Sequence, residues 1–409
     1  MKYVFGLWAF VFACVGNATA ADLDIDGRAT LRVQPGLVTD LITGSSTPSA
    51  HPIAEAFRQS DRGEIIAVEP GVYGGFLLGL NNPHRDDVVS FGVQGVVLRA
   101  RVPGTVTIET QGSDTILIQQ PQNSEPFRDI AFVDLTIRTG DAAAVRFGQG
   151  GPYWGFHFHR VQITGAGRNA LWGVRIYSGG DILFDECLIE DIPLEHGIYA
   201  SNNVGAFTVK DSTIRNVGRA AIQFREVSTS EVPGIGPSRG RTRILNNTFV
   251  NTGKNDGASA LTLRGTHLVQ VIGNTFMNGF GPDAHSRGAV VASGAPLYGK
   301  PFANHCLLML RNQILYRNPD RALVAISSTG RVMLRANTLA TDTVIHPALD
   351  LSVPGAGPLN GRLAMLRNSF GRGAMQAHIK VRRFGNTLLT PAEIAALAPN
   401  DGFSWRCAD

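Results

Sequence analysis

Cationic and aromatic side chains recur at near-even spacing through the middle of this chain. Arg175 with Tyr177, Tyr199, Gln223 with Arg225, and Thr262 with Arg264 form one such series, and 175, 199 and 223 are 24 residues apart. The stretches next to them add His196, Arg219, Lys254, Asp256, His285 and Arg287. An Arg fork fits a carboxylate or sulfate, and an aromatic face suits a sugar ring. His, Tyr and Lys can carry protons. Such residues in a row suit an extended anionic ligand, provided a fold stacks them.

A second periodicity supplies that fold. The frames Asp211-Ser212-Thr213-Ile214, Asn246-Asn247-Thr248-Phe249 and Gly273-Asn274-Thr275-Phe276 share one pattern. It continues forward at Arg311-Asn312-Gln313-Ile314, Ala336-Asn337-Thr338-Leu339 and Arg367-Asn368-Ser369-Phe370. Backward it runs through Glu186-Cys187-Leu188-Ile189, Arg160-Val161-Gln162-Ile163 and Asp134-Leu135-Thr136-Ile137. The second position steps by 26, 26, 25, 35, 27, 38, 25 and 31 residues. A base period near 25 with longer steps marks a solenoid carrying inserted loops.

Before each frame, alternate residues are apolar: Phe156 and Phe158, Ile182 and Phe184, Phe207 and Val209, Val269 and Val271. Period two is the mark of a strand with one buried face. The frame itself predicts a tight bend, where stacked Asn side chains can satisfy buried polar groups. A second strand then starts on the fourth frame residue, and third strands are expected over 173–177, 197–201, 221–225, 260–264 and 289–293. The segment Gly63–Gly74 reads as a buried strand followed by a Pro-Gly turn. An amphipathic helix over 51–60, with Ile53, Ala54, Ala56 and Phe57 on its apolar side, would cap the open end. Residues 22–50 read as polar and irregular. Pro391–Leu397 reads as a short C-terminal helix.

The segment Ile65–Gly74 followed by ~25-residue repeats with an Asn/Ser column resembles the pectate-lyase-like superfamily. The resemblance covers roughly residues 63–386 and implies an all-β, single right-handed parallel β-helix, with three strands per coil and about ten coils. The expected layout is a leader at 1–21, an N-terminal extension with its capping helix at 22–62, the β-helix at 63–386 and a tail at 387–409. The superfamily holds lyases, hydrolases, epimerases and binding proteins, so fold is implied more sharply than activity.

On that register the outward residues of the third strands are Arg175 and Tyr177, Tyr199 and Ser201, Gln223 and Arg225, Thr262 and Arg264, Val291 and Ser293. Coils ~4.8 Å apart make them two columns. Turns add His196, Arg219, Lys254, Asp256, His285 and Arg287. Insertions at 226–241 and 294–305 should project from one side, and turns at 252–258 and 279–287 from the other. The expected partner is an acidic polysaccharide, with Arg175, Tyr177, Gln223, Arg264, His285 and Arg287 binding it.

Removing the C5 proton of a uronate needs its carboxylate neutralised, a base near the carbon and an acid near the leaving oxygen. Superfamily members acting so use a groove Lys or Arg as base, often with Ca2+. The resemblance therefore points to a polysaccharide lyase or C5-epimerase, with Arg225 and Lys254 as base and neutraliser and His196 and Tyr199 as alternatives. The competing readings are a non-catalytic carbohydrate-binding or envelope β-helix and a glycoside hydrolase. A hydrolase would need paired carboxylates. The outward third-strand positions hold none, although Glu195, Asp256 and Asp283 lie in adjacent turns.

The acids Asp181, Asp185, Glu186, Glu190, Asp191 and Glu195 could hold Ca2+ if they converge. His157 and His159, two residues apart, could ligate a metal. No third ligand is adjacent in sequence, so they read as surface residues beside an Asp185–Lys210 charge pair.

Composition bounds the rest. Lys2, the apolar run Tyr3–Val15 and Ala18-Thr19-Ala20 describe a secretory leader, too short to span a bilayer. The expected location is secreted or periplasmic, with no membrane association after cleavage. Without Lys2, 36 basic residues face 33 acids, a net of +3. Cys187, Cys306 and Cys407 then remain, enough for one internal disulfide at most. Cys187 falls in the frame column and is expected inside, as a small hydrophobe. No phosphate loop or dense basic cluster points to nucleotide or nucleic acid.

Overall fold

The computed structural model describes residues 28–79, 86–119, 127–148, 153–201, 205–225, 241–253, 258–264, 268–278, 288–293, 306–317, 322–327, 331–341, 347–352, 363–370 and 379–382. Side chains are described for these except Arg225, Ser293, Ser352 and residues 379–382. The expected leader, the expected C-terminal helix and nearly all of the 226–241 and 294–305 segments lie outside the described residues.

Three long sheets wind into one right-handed parallel β-helix. In the coil that opens on Phe207–Lys210, the second strand is Thr213–Val217 and the third is Ile222–Arg225. Each pairs in parallel with its counterpart one repeat away: Phe207 with Thr242, Ile214 with Phe249, Ile222 with Leu261. Inward apolar residues stack in register. Phe132, Phe158 and Phe184 are paired positions, with ring centroids 5.1 and 4.8 Å apart. That matches the 4.7–4.9 Å strand spacing, so each ring lies on the one below.

The bend after the first strand has a fixed geometry. Asp134, Arg160, Glu186, Asp211, Asn246, Arg311, Ala336 and Arg367 adopt φ of 50–61°, and Gly273 adopts 68°. Left-handed backbone costs L-residues about 1–2 kcal/mol each. The next residue offsets this by satisfying the corner. Cys187 N donates to Ser212 Oγ at 3.0 Å, and Ser212 N to Asn247 Oδ1 at 3.0 Å. Asn247 N, Asn274 N, Asn312 N and Asn337 N continue the series onto Asn274, Asn312, Asn337 and Asn368. Each Asn also donates Nδ2 to a first-strand carbonyl, as Asn247 does to Val209 O at 2.8 Å. Cys187 is free and buried within this column, and its Sγ faces Phe158 O at 3.2 Å. Cys306 is disulfide-bonded.

The N-terminal end departs from its sequence reading. Helix α1(Pro52–Gln59) buries Pro52, Ile53, Ala54, Ala56 and Phe57, and Phe57 packs 5.5 Å from the Phe76 ring. Residues 31–48, expected to be irregular, instead extend the first sheet. Leu31–Gln34 pairs in parallel with Ile65–Val68, and Leu37–Asp40 and Ser46–Pro48 add antiparallel strands. The two-residue turn at Pro35-Gly36, with Gly36 at φ 79°, sets that hairpin. Among the described residues no helix is long and apolar enough to cross a membrane.

Candidate functional site

The third sheet aligns the polar residues as their spacing predicts. Arg146, Arg175, Tyr199, Gln223, Thr262 and Val291 are successive partners in one column. Ser201, Arg225, Arg264 and Ser293 form a second. Gly173 lies near the start of one of these strands and Gly197 just before another, and a Cβ there would stand 2.5 Å from Gly197 O and 2.7 Å from Ala221 O respectively. Only glycine lets adjacent coils close so tightly there.

The most organised part of the columns lies around Arg175. Its guanidinium sits 4.2 Å from the Trp172 ring centroid and 4.4 Å from that of Tyr177. Arg146, one coil earlier, faces the same Tyr177 ring at 5.7 Å. Arg146 Nη1 is held by Asp114 Oδ2 at 3.1 Å, while Asp114 Oδ1 accepts Ala143 N–H. Arg175 forms no ion pair among the described residues. Burial, and then the Arg146 charge, push its pKa down. It stays cationic at neutral pH, because a guanidinium is not deprotonated in proteins. The Nε atoms of Arg146, Arg175 and Arg264 are buried without hydrogen-bond partners. The two crowded guanidiniums favour a bound anion, and the Trp172 and Tyr177 rings offer faces for an apolar or sugar surface.

His196 belongs to a neighbouring unit. Its ring stacks on Tyr199 at 5.3 Å, and its Nδ1 accepts Ala220 N–H at 3.1 Å. The ring proton of the neutral form therefore sits on Nε2, which faces Glu195 Oε2 at 3.5 Å. Glu195 Oε2 also takes Arg219 Nη1 at 3.1 Å. Burial, and then the Arg219 charge, lower the His196 pKa to about 3. At neutral pH His196 is a proton donor at Nε2 and has no free ring lone pair.

Of the remaining candidates, Gln223 is half-buried between Tyr199 and Thr262, and Arg264 is half-buried at the end of its strand. Arg225 occupies the strand position between Ser201 and Arg264, with its side chain outside the described set. Lys254, Asp256, Asp283, His285 and Arg287 lie outside the described residues. Arg146, Trp172 and Asp114 join the site without having been sequence candidates. The signal for Arg146 was its place in Ala143–Phe147, one repeat before Trp172–Ile176.

A cavity of about 780 Å³ opens at the turns that lead into the third strands, lined by Gly165–Arg168, Asp191, Pro193, Asn216–Gly218 and Asn251. Asp191, Asn216 and Asn251 stack there with φ of 50–57°, and Asn216 Nδ2 donates to Asp191 Oδ1 at 3.0 Å.

The acids proposed for Ca2+ do not converge. Asp185 faces Lys210 on the first sheet, Glu190 takes Gln162 and Arg215 on the second, and Glu195 sits beside His196. Consecutive solenoid strands face different directions, which disperses them. His159, expected at the surface, is instead 5% exposed beside Asp185 at 7%, while His157 is half-buried. Register brings Asp185 directly beside His159, and Lys210 and Arg160 cover the pair.

No family model and no curated protein matches the chain. Among solved structures it is similar to a polygalacturonase from Erwinia carotovora ssp. carotovora, at 11% identity over 87% of this chain and 96% of that one, TM-score 0.49. It is also similar to an alginate lyase from Paenibacillus, at 13% over 83% and 96%, TM-score 0.44. A third is the mannuronan C-5 epimerase A-module of Azotobacter vinelandii, at 14% over 75% and 87%, TM-score 0.42. At these values the likenesses carry no argument about activity, and the coil architecture rests on the strand pairing itself.

Proposed function

We propose that this chain is an exported carbohydrate-active protein that binds an acidic polysaccharide along the third sheet and removes the C5 proton of its uronate residues. The observation that carries the reading is the Arg146–Arg175 pair around the Tyr177 ring. A uronate carboxylate on these forks would be neutralised, and its ring would lie against Tyr177 or Trp172. Neutralising the carboxylate acidifies the adjacent C5–H and stabilises the carbanion-like transition state.

The base is assigned to Arg225 or Lys254. In β-elimination the base takes the C5 proton, the C4–O bond breaks, and a C4=C5 double bond forms. The departing oxygen takes a proton from Tyr199, with His196 Nε2–H able to donate a hydrogen bond to it. In epimerisation the proton returns to the opposite face of C5 and no bond to oxygen breaks. A Ca2+ ion, if bound, would supply further carboxylate neutralisation, but the described acids do not fit one shared site.

Incubation with alginate, pectate and glycosaminoglycans tests this. Ultraviolet absorbance from an unsaturated uronate identifies a lyase, and altered C5 configuration by NMR without absorbance identifies an epimerase. New reducing ends without absorbance would replace the proposal with hydrolysis. Retained binding with none of these signals would replace it with a binding module.

A further inference from the structure

On the outer face of the first sheet, away from the third-sheet columns, three side chains converge on one point. His157 and His159 lie on one side of the strand His157–His159, and Asp185 is the partner of His159 on the next coil. Asp185 Oδ2 is 3.3 Å from His159 Nδ1 and 3.8 Å from His157 Nε2. One ligand atom from each of the three lies within 4.8 Å of the others. Zinc bonds of ~2.0–2.2 Å in a tetrahedral arrangement place ligand atoms roughly 3.3–3.5 Å apart, so small rotations would close the set.

Three buried atoms here have no hydrogen-bond partner: His157 Nε2, His159 Nδ1 and Asp185 Oδ1. His159 and Asp185 are more than nine-tenths buried, and His157 is half-buried. Buried polar atoms left without partners in one spot are destabilising unless something answers them.

We propose that His157 Nε2, His159 Nδ1 and the Asp185 carboxylate form a binding site for a zinc-class divalent transition metal. Two imidazoles and one carboxylate suit such an ion, and they leave a fourth position for water. A hard cation needing six or more oxygens finds too few here. Two neighbours oppose the ion. Lys210 Nζ lies 3.0 Å from Asp185 Oδ2 and competes for the carboxylate. Arg160 Nη1 lies 2.7 Å from His159 Nε2 and, as a pure donor, favours the tautomer with the proton on Nδ1. Loading therefore displaces Lys210 and moves the His159 proton to Nε2, which loosens the Arg160 contact. Arg160 keeps its bonds to Asp134 at 2.6 and 3.0 Å. The site does not depend on the proposed glycan chemistry.

The test is calorimetric titration of the tag-free, chelator-treated full chain with Zn2+ and with Ca2+, and visible spectroscopy with Co2+. The expected result is one equivalent of Zn2+, tetrahedral Co2+ bands and no Ca2+ binding at this face. Lys210→Met should bind Zn2+ more tightly, since it removes the competing ammonium. His157→Ala and Asp185→Asn should weaken binding by more than about 100-fold, with circular dichroism confirming the fold. Absence of stoichiometric Zn2+ in both wild type and Lys210→Met overturns the proposal. Binding undiminished in His157→Ala and Asp185→Asn also overturns it.

Discussion

Asn274 Oδ1 accepts two bonds from Asn247, one from its backbone N at 2.8 Å and one from its Nδ2 at 3.0 Å, across one coil of the solenoid. The two residues are 27 positions apart in sequence and both are buried. Each carboxamide thus answers the backbone of its neighbour and passes its own amide to the next, which satisfies the polar groups named here.

Asn247→Leu should accordingly destabilise the fold. It strands Ser212 N–H and Val209 C=O, each worth roughly 1–3 kcal/mol when buried and unmet. A thermal melt of the variant should show a clear fall in Tm. An unchanged Tm would mean that the column does not hold the corner.

Arg175→Gln should leave the fold intact and weaken polysaccharide binding by about tenfold or more, since a charged hydrogen bond is worth ~1.5–3 kcal/mol. Affinity electrophoresis in gels containing alginate or pectate reads this directly. Equal retardation of variant and wild type would remove Arg175 from the binding face.

Arg225→Ala and Lys254→Ala are expected to fold normally and to impair turnover or glycan binding. The comparison is steady-state activity on the best polymer, with melts alongside. Full function in both variants would end the assignment of the base to either residue.

His196 carries a pH dependence with a definite sign. Its folded pKa of about 3 lies below the ordinary 6.5. Between those values the unfolded chain holds a proton on this residue that the folded chain refuses. Stability therefore falls as pH drops through that window, at up to ~1.4 kcal/mol per unit for this one group. His196→Gln cannot take the proton, so the stability advantage of wild type over the variant should shrink as pH falls. Urea unfolding across the window checks it, and a constant difference would show that His196 is not held neutral.

Gly197→Ala should destabilise by about 1–3 kcal/mol through overpacking. The new Cβ would stand 2.7 Å from Ala221 O and 3.0 Å from Ile214 Cγ2. Equilibrium unfolding is the measure, and a neutral result would mean that the coils can part there at little cost.

Periodicity carries most of what could be read without coordinates. A 25-residue repeat with alternation before a polar frame determines the solenoid, because each coil must bury one face and satisfy one corner in the same way. The same register correctly aligned Arg175, Tyr199 and Gln223, and it paired His159 with Asp185. Residues 31–48 escaped because a short antiparallel extension has no repeat to betray it; only its pairing onto Ile65–Val68 makes it a sheet.

The tertiary structure alone decided how side chains divide between solvent and one another. A register says that His157, His159, Asp185 and Lys210 share a face, but exposure depends on what covers that face. Arg160 and Lys210 close over His159 and Asp185, which turns an apparent surface charge pair into a buried cluster with unanswered nitrogens. The same holds for His196, which the sequence offers as a titrating proton carrier. Burial, and then the Arg219 charge, keep it neutral, because desolvation penalises the charged ring.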